Sequence, residues 1–488
     1  MMGKFKLRKI SAVLVLCLIV FSGCSKSKDT TTTPPVVIDP PPPPVTPTGI
    51  YYWLTTGDKT NLLTKQQTNL NFDVIANALP NITVDSTQKF QTVEGFGYTL
   101  TQGSAEVISQ LPVTDRNLLL AELFGNTGNS INVSFLRIGM GATDLSSTVY
   151  SYDDMPPGQT DISLSNFNLA DDKVAMIPVL KQILQINPNI KLLATPWSAP
   201  VWMKDNGSTV GGSLSPAYYQ VYANYFVKYI QAMKAEGLDI FAITPQNEPL
   251  NPNNNPSLVM TAAEQSNFIK NNLGPLFANA GIATKVIIYD HNCDRPDYPL
   301  DILNDAVARQ YVDGSAFHLY AGDISVLSQV HFTWPGKNIY FTEQYTASTG
   351  SFAGDLQWHL KNVIIGSLRN YSKVALEWNL ANNASFGPHT AGGCTTCLGA
   401  ITVAGSVISR NVGYYIIAQV SGFVPTGSIR IASDNNGSLQ TVAFLKADGG
   451  KVLVVLNESN SSQSFNIKSN GKWLSTTLPG SSAGTYVW

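Results

Sequence analysis

Charge is what this 488-residue chain has least of. Asp, Glu, Lys and Arg together make up 13% of it, and the formal net charge is −2. A surface so close to neutral carries no basic field to gather phosphates, which excludes nucleic acid as a partner. Long apolar runs are also missing: the longest, "ISAVLVLCLIVF", is too short to span a bilayer comfortably. No repeat of solenoid length appears, so a stacked-repeat architecture is excluded. Cysteine is rare, five residues in all, and each can be followed individually. What remains is a chain 44% hydrophobic, long enough for one large domain and a smaller one.

The apolar run follows a basic start at Lys4, Lys6, Arg8 and Lys9 and ends in "FSGC". Residues 1–23 therefore read as a signal peptide. The small residues before Cys24 resemble the lipobox of bacterial lipoproteins, in which the cysteine is lipidated and becomes the mature N-terminus. The expectation is an exported protein on the bacterial envelope, at the outer membrane and facing the periplasm or the outside. Its lipid would be the only membrane contact. The other reading is an ordinary secretory signal with an incidental cysteine. Residues 24–49 are rich in proline and threonine, with five consecutive prolines; such a stretch cannot build a core and favours an extended tether.

In the body, short apolar runs alternate with amphipathic stretches: "FQTVEGFGYTL", "VSFLRIG", "IKLLATPW", "DIFAITPQNEP", "TKVIIYDHN", "GSAFHLYAG", "NIYFTEQY" and "KVALEWNL". Eight strand–helix units of this size predict an α/β fold, a (β/α)8 TIM barrel, over residues 90–419. After it, "SIRIASDN", "LQTVAFLKA", "KVLVVLNES" and "SQSFNIKS" alternate with period two and predict an antiparallel β-sandwich over residues 420–488. Residues 50–89, also strand-like, are expected to complete it. The barrel runs end on polar or aromatic residues: Trp197, Asn247, Glu248, His318, Tyr320, Glu343, Trp378 and Asn379, with Asp144 and His291 close behind others. In a barrel those ends form the active face.

Glu248 in "ITPQNEPL" and Glu343 in "FTEQY" end the fourth and seventh strands, roughly opposite one another across the mouth. Two carboxyl groups facing each other are what glycoside hydrolysis needs. One protonates the departing oxygen, and the other attacks or assists at the anomeric carbon. The generous supply of aromatics (20 Tyr, 20 Phe, 8 Trp) can furnish platforms for sugar rings.

The motifs "VEGFGYTLTQGSA", "LRIGMGATDLS", "ATPWSAPVWMKDNG", "TPQNEP", "FHLY", "FTEQY" and "EWNL", in this order, resemble glycoside hydrolase family 30, of glucosylceramidases, β-1,6-glucanases and xylan-degrading enzymes. The resemblance implies a retaining mechanism with Glu248 as acid/base and Glu343 as nucleophile. It implies Arg137 and Tyr320 beside the nucleophile, and Asn247 on the sugar 2-hydroxyl. Asp144, Trp197 and Trp378 would wall the sugar at subsite −1, with His318 among the substrate-binding residues and positioning its neighbours. Glu377, next to Trp378, should point away from it by strand alternation, as an outer support or a sugar contact.

His389, Cys394 and Cys397 in "FGPHTAGGCTTC" offer only three zinc ligands, so a Cys394–Cys397 disulfide is the better expectation in an exported protein. Cys293 is then unpaired and buried. This cysteine-bearing loop resembles the β-1,6-glucanase branch and would shape the acceptor side. The resulting expectation is a monomeric retaining β-glycosidase acting on β-glucan with β-1,6 linkages, without metal or organic cofactor. The alternatives are a glucosylceramidase-type β-glucosidase, a xylan- or galactan-directed enzyme, and a non-catalytic glycan-binding lipoprotein.

Overall fold

The computed structural model describes residues 50–66 and 70–488. The signal peptide, Cys24 and the proline-rich tether lie outside these residues. Among the described residues no helix is long and apolar enough to cross a membrane.

Eight parallel strands close into a barrel in sequence order: β1 (Gly95–Leu100), β2 (Phe135–Gly139), β3 (Lys191–Thr195), β4 (Ala242–Ile243), β5 (Lys285–Cys293), β6 (Val312–Gly322), β7 (Asn338–Glu343) and β8 (Ser372–Asn379). The strands are almost wholly buried because both faces are covered. One face fills the barrel interior with Phe135, Leu193, Ala242, Ile287, Ala316, Tyr340, Val374 and Leu376. The other packs on the surrounding helices. The helix Tyr219–Ala235, for example, buries Tyr222, Tyr225, Phe226 and Tyr229 in that shell. At the N-terminal end of the barrel, Lys191, Lys285 and Lys373 converge on Glu94. That end is closed by ion pairs, which leaves the opposite rim for chemistry.

The run Phe90–Leu100, expected as one barrel strand, is two elements. Residues up to Thr92 belong to a long strand, Asn81–Thr92, of the second sheet. Only Gly95 onward joins the barrel. Between them Val93 N–H donates to Ser428 and Glu94 N–H to Lys373, so the chain changes sheet without an apolar break.

That second sheet has nine strands, drawn from both ends of the body. Tyr51–Thr56 pairs antiparallel with the C-terminal strand Ser482–Val487. Its junctions are antiparallel except one, where Gln463–Ser469 runs parallel to Asn81–Thr92. Phe465 and Tyr486 stand on strands far apart in sheet order, yet their rings meet at 6.2 Å. The sheet therefore folds over its own core of Tyr52, Ile82, Val455, Phe465, Leu474 and Tyr486. Its outer face adds Val442, Phe444, Val452 and Val454 to the helical shell of the barrel.

Candidate active site

Three local distortions turn carboxylates into the barrel mouth. Along β5, Ile287 fills the interior while Ile288 and Tyr289 both pack in the outer shell. Strict alternation would send Asp290 outward with Ile288. Instead Tyr289 and Asp290 take φ of 74° and 65°, the pairing register shifts, and Asp290 turns inward, fully buried. Such a bulge re-aims one side chain. On β7, Thr342 faces in, and a second register shift between Phe341 and Glu343 brings Glu343 in behind it. Glu248 has φ 43°, a left-handed conformation costing about 1–3 kcal/mol in a residue other than glycine. Its backbone N–H donates to the Asp290 carbonyl, so one distortion holds the other.

Arg137, buried in the middle of β2, ties the cluster together. Its guanidinium donates to Glu343 Oε2 at 2.6 Å, to Asp290 Oδ2 at 2.8 Å and to Asn247 Oδ1 at 2.6 Å. It also lies 4.7 Å from the Trp197 ring centre. Tyr320 O–H donates to Glu343 Oε1 at 2.9 Å. Both Glu343 oxygens thus receive donors, and their lone pairs are aimed by Arg137 and Tyr320. His318 sits below, with Nδ1 3.3 Å from Glu248 Oε1 and Nε2 3.1 Å from Asp290 Oδ1. It is fully buried. His318, expected among the substrate-binding residues and as a positioner of its neighbours, is placed against the carboxylates and is not among the residues lining the cleft. Glu248 Oε2, on its other side, accepts from Asn251 at 2.8 Å and Asn254 at 3.1 Å.

Oxygens of Glu248 and Glu343 lie within 4.8 Å of each other and of a His318 nitrogen. So close an approach is on the side of the spacing of about 5–5.5 Å used for a covalent intermediate and short of the roughly 6.5–9.5 Å that an inverting enzyme keeps for water. The same three groups have the spacing of a metal cage. Both His318 nitrogens, however, are engaged with carboxylates, and Arg137 already neutralises Glu343. Two protein cations stand where an ion's charge would act.

Protons in this cluster are shared. Burial pushes Glu343 above the usual carboxylate range, although His318 and Arg137 pull it down. Burial also raises Glu248, but the His318 hydrogen bond and charge, the His291 charge and the Asn251 hydrogen bond overcome it, to about 2. His318, against its own burial, is raised to about 9 by Glu343, Asp290 and Glu248. Taken singly, these directions give Glu248 the lower proton affinity, the reverse of what a proton donor needs. The proton rests instead on His318, within hydrogen-bonding distance of Glu248. Glu343 lies between Arg137 and Tyr320, and Glu248 lies beside the open Asn251–Asn254 loop.

The cleft above these groups measures about 430 Å³ and is lined by Asp144, Trp197, Trp378, Tyr320, Tyr345, His291, Asn292 and the loop from Leu250 to Asn254. Trp197 and Trp378 stand 5.4 Å apart and form a small apolar cluster with Leu145 and Cys397. Asp144 is pushed up to about 7, first by burial and then by Glu343 and Glu248. Below that pH it is a neutral acid able to donate to a hydroxyl. A larger hollow of about 880 Å³ lies by Trp53, Tyr414 and Phe423. Its one acid–base pair, Glu122 with Arg410, is spent on itself, and it holds no facing carboxylates.

Cys394 and Cys397 form a disulfide on the wall of this cleft. Cys394 N–H donates to Asp144 Oδ2 at 3.4 Å, so the loop meets the sugar-holding end directly. Thr390 bonds the carbonyls of Asp144 and Asn255, linking that end to the loop beside Glu248. His389 Nδ1 donates to the Thr390 carbonyl and is not part of a cysteine cage. Cys293 is free and buried. Glu377 turns outward to His359 at 2.8 Å, an outer support with no path to a sugar. Sequence reasoning passed over Asp290, Asn251, Asn254 and Tyr345, and gave His291 no role. The one available signal was a carboxylate inside the apolar run "KVIIYD".

Comparison with known proteins follows the same lines. The family model described as glycosyl hydrolase family 30 TIM-barrel domain matches residues 93–424, and the family's β-sandwich domain matches residues 427–486. The chain is 38% identical over 437 residues to the endo-1,6-beta-D-glucanase neg1 of Aspergillus fumigatus, covering 83% of this chain and 87% of that one. It is 31% identical over 434 residues to the lysosomal acid glucosylceramidase of Mus musculus, covering 83% of each. Among solved structures, the endo-beta1,6-glucanase BT3312 matches with a TM-score of 0.84 at 36% identity, over 90% of this chain and 99% of that one.

Proposed function

The chain belongs to glycoside hydrolase family 30 and is a glycoside hydrolase; from that premise we propose that it cleaves β-1,6-linked glucan within the polymer, with retention at the anomeric carbon. The observation that carries the reaction is the Glu248–Glu343 pair within 4.8 Å, with Arg137 and Tyr320 on the nucleophile. Glu343 attacks the anomeric carbon as the bond to the leaving sugar breaks, and Glu248, having first drawn the proton held on His318, gives it to that oxygen. Glu248, now a carboxylate held by His318, Asn251 and Asn254, takes a proton from water. The water oxygen bonds the anomeric carbon and Glu343 departs. Asn247, anchored by Arg137 through its oxygen, keeps its amide N–H groups for the sugar.

Support for the linkage comes from relatives. Three endo-1,6-β-D-glucanases stand at 34–38% identity, above the glucosylceramidases at 30–32%. The test is a product profile on β-1,6-glucan, β-1,3-glucan, xylan and glucosylceramide, run beside the Glu343→Gln variant. Short β-1,6 oligosaccharides from the wild type alone are expected. Glucose released from glucosylceramide alone would keep the reaction and replace the substrate.

We further propose that the enzyme acts as a single chain, since one chain supplies every group of the cleft, and that a lipid on Cys24 holds it at the bacterial envelope. The basic start, the apolar run and "FSGC" support the anchor. Cys24→Ala is expected to move the protein from the membrane fraction to the soluble one; unchanged fractionation would refute the anchor.

A further inference from the structure

We propose that His291 is a specificity residue that grips the leaving-group sugar, with Asn292 beside it and the Asn251–Asn254 loop opposite. No role in the reaction described above has been given to it. His291 lies at the end of β5, just past the bulge that turns Asp290 inward. It lines the cleft, is 8% exposed, and its buried Nδ1 has no hydrogen-bond partner. An unpaired buried ring nitrogen is costly unless a ligand completes it.

The two oxygens of Glu248 show on which side that ligand lies. Oε1 faces His318, which is itself 3.8 Å from Glu343, and so looks toward the reacting carbon. Oε2 faces Asn251 and Asn254. The Trp197–Trp378 end, with Asp144, holds the sugar that is attacked. A proton donor must touch the oxygen that leaves, so the departing sugar extends along the face of Glu248 turned away from that end. His291 and Asn292 line the same cleft, and the His291 ring lies 6.4 Å from that of His318, the partner of Glu248. Asn292 Oδ1 accepts the Tyr320 N–H at 3.0 Å, which fixes the amide and leaves its NH2 group to donate. Burial holds His291 below its ordinary pKa. The neutral ring therefore meets a sugar hydroxyl through Nε2, the nitrogen that is not enclosed, as one donor or one acceptor, and adds no second cation beside the acid/base.

The inference rests on the glycosidase reading, and its test separates the two. The wild-type rate on β-1,6-linked gluco-oligosaccharides tests the substrate. The ratio of kcat/KM between a sugar leaving group and an activated aryl leaving group on the same donor sugar tests His291. That ratio can be taken on whichever β-linked oligosaccharide the enzyme turns over. His291→Phe keeps the ring volume and removes the polar atoms. It is expected to lower kcat/KM for the oligosaccharide about tenfold more than for the aryl glycoside, mainly through KM, as a site built for hydroxyls does when its partners are removed. His291→Gln, which restores a donor and an acceptor, is expected to recover much of the difference. Equal losses on both substrates, or an unchanged ratio in His291→Phe, would overturn the proposal.

Discussion

At the residue scale, His318 has the widest reach in the cleft, because two carboxylates bond it and a third lies 3.8 Å away. Its charge lowers Glu343. Removing that charge lets Glu343 rise further, so the nucleophile is protonated at a higher pH. His318→Gln is therefore expected to move the acidic limb of the kcat/KM profile upward by about one pH unit and to cut the rate at least tenfold. A limb that stays in place would show that the proton economy of the cleft does not run through His318. Sequence motifs located this residue correctly, yet "FHLY" carries no sign that its ring is wedged beneath the acids. Asp290 was illegible for a related reason. Period-two alternation sends it outward, and only the backbone at Tyr289 and Asp290 reverses that. Glu377 shows the opposite case: from Val374 onward the strand alternates without a break, and alternation alone placed it outside.

Among the elements, the loop from Phe386 to Leu398 gathers the most connections. It contacts Asp144 through Cys394 and Thr390, Asn255 through Thr390, and the short strand Thr346–Ala347 that follows the nucleophile. Closing so short a ring contributes about 2 kcal/mol at most through chain entropy, so its value lies in geometry. Replacing Cys394 and Cys397 together by serine is expected to raise KM about three- to tenfold as Asp144 loses its fixed donor, with a smaller change in kcat. An unchanged KM would leave the disulfide without a part in holding sugar. The cysteine spacing made the bond legible, and the resemblance suggested an acceptor-side wall. The contact with Asp144 puts the loop at the sugar-holding end as well, a fact of three-dimensional packing that spacing does not encode. The barrel strands were legible because their apolar runs end in polar groups. The exception was Phe90–Leu100, where an apolar pattern runs on unbroken while the chain passes from one sheet to another.

For the whole molecule, buried titrating groups set the pH range of stability. Asp144 and Asp172, raised mainly by burial to about 7 and about 6, keep their protons in the folded state where the unfolded chain, at about pH 4, has lost them. Stability therefore falls as pH climbs from about 4 to about 7. His318, raised to about 9, contributes stability that is complete below its unfolded value of about 6.5 and lost as pH passes about 9. Asp290 works in the other direction. Arg137 and His318 overcome its burial and hold it well below the usual carboxylate range, so its contribution is present above about pH 4 and lost toward strong acid. The melting temperature is expected to peak near pH 5 and to decline steadily to pH 9, as calorimetry across that range would record. A maximum at pH 8 or above would contradict these burials.

The pairing of Tyr51–Thr56 with Ser482–Val487 has a consequence in time as well as in space. Besides Thr64–Lys65 close by, Tyr51–Thr56 pairs with a strand made only after every barrel strand, so the nine-stranded sheet closes later than the barrel. The barrel, whose strands follow one another in order, is complete well before. The clasp of the sheet is thereby postponed until residues 51–56 and 482–487 both exist, and the barrel strands stand in order before it forms.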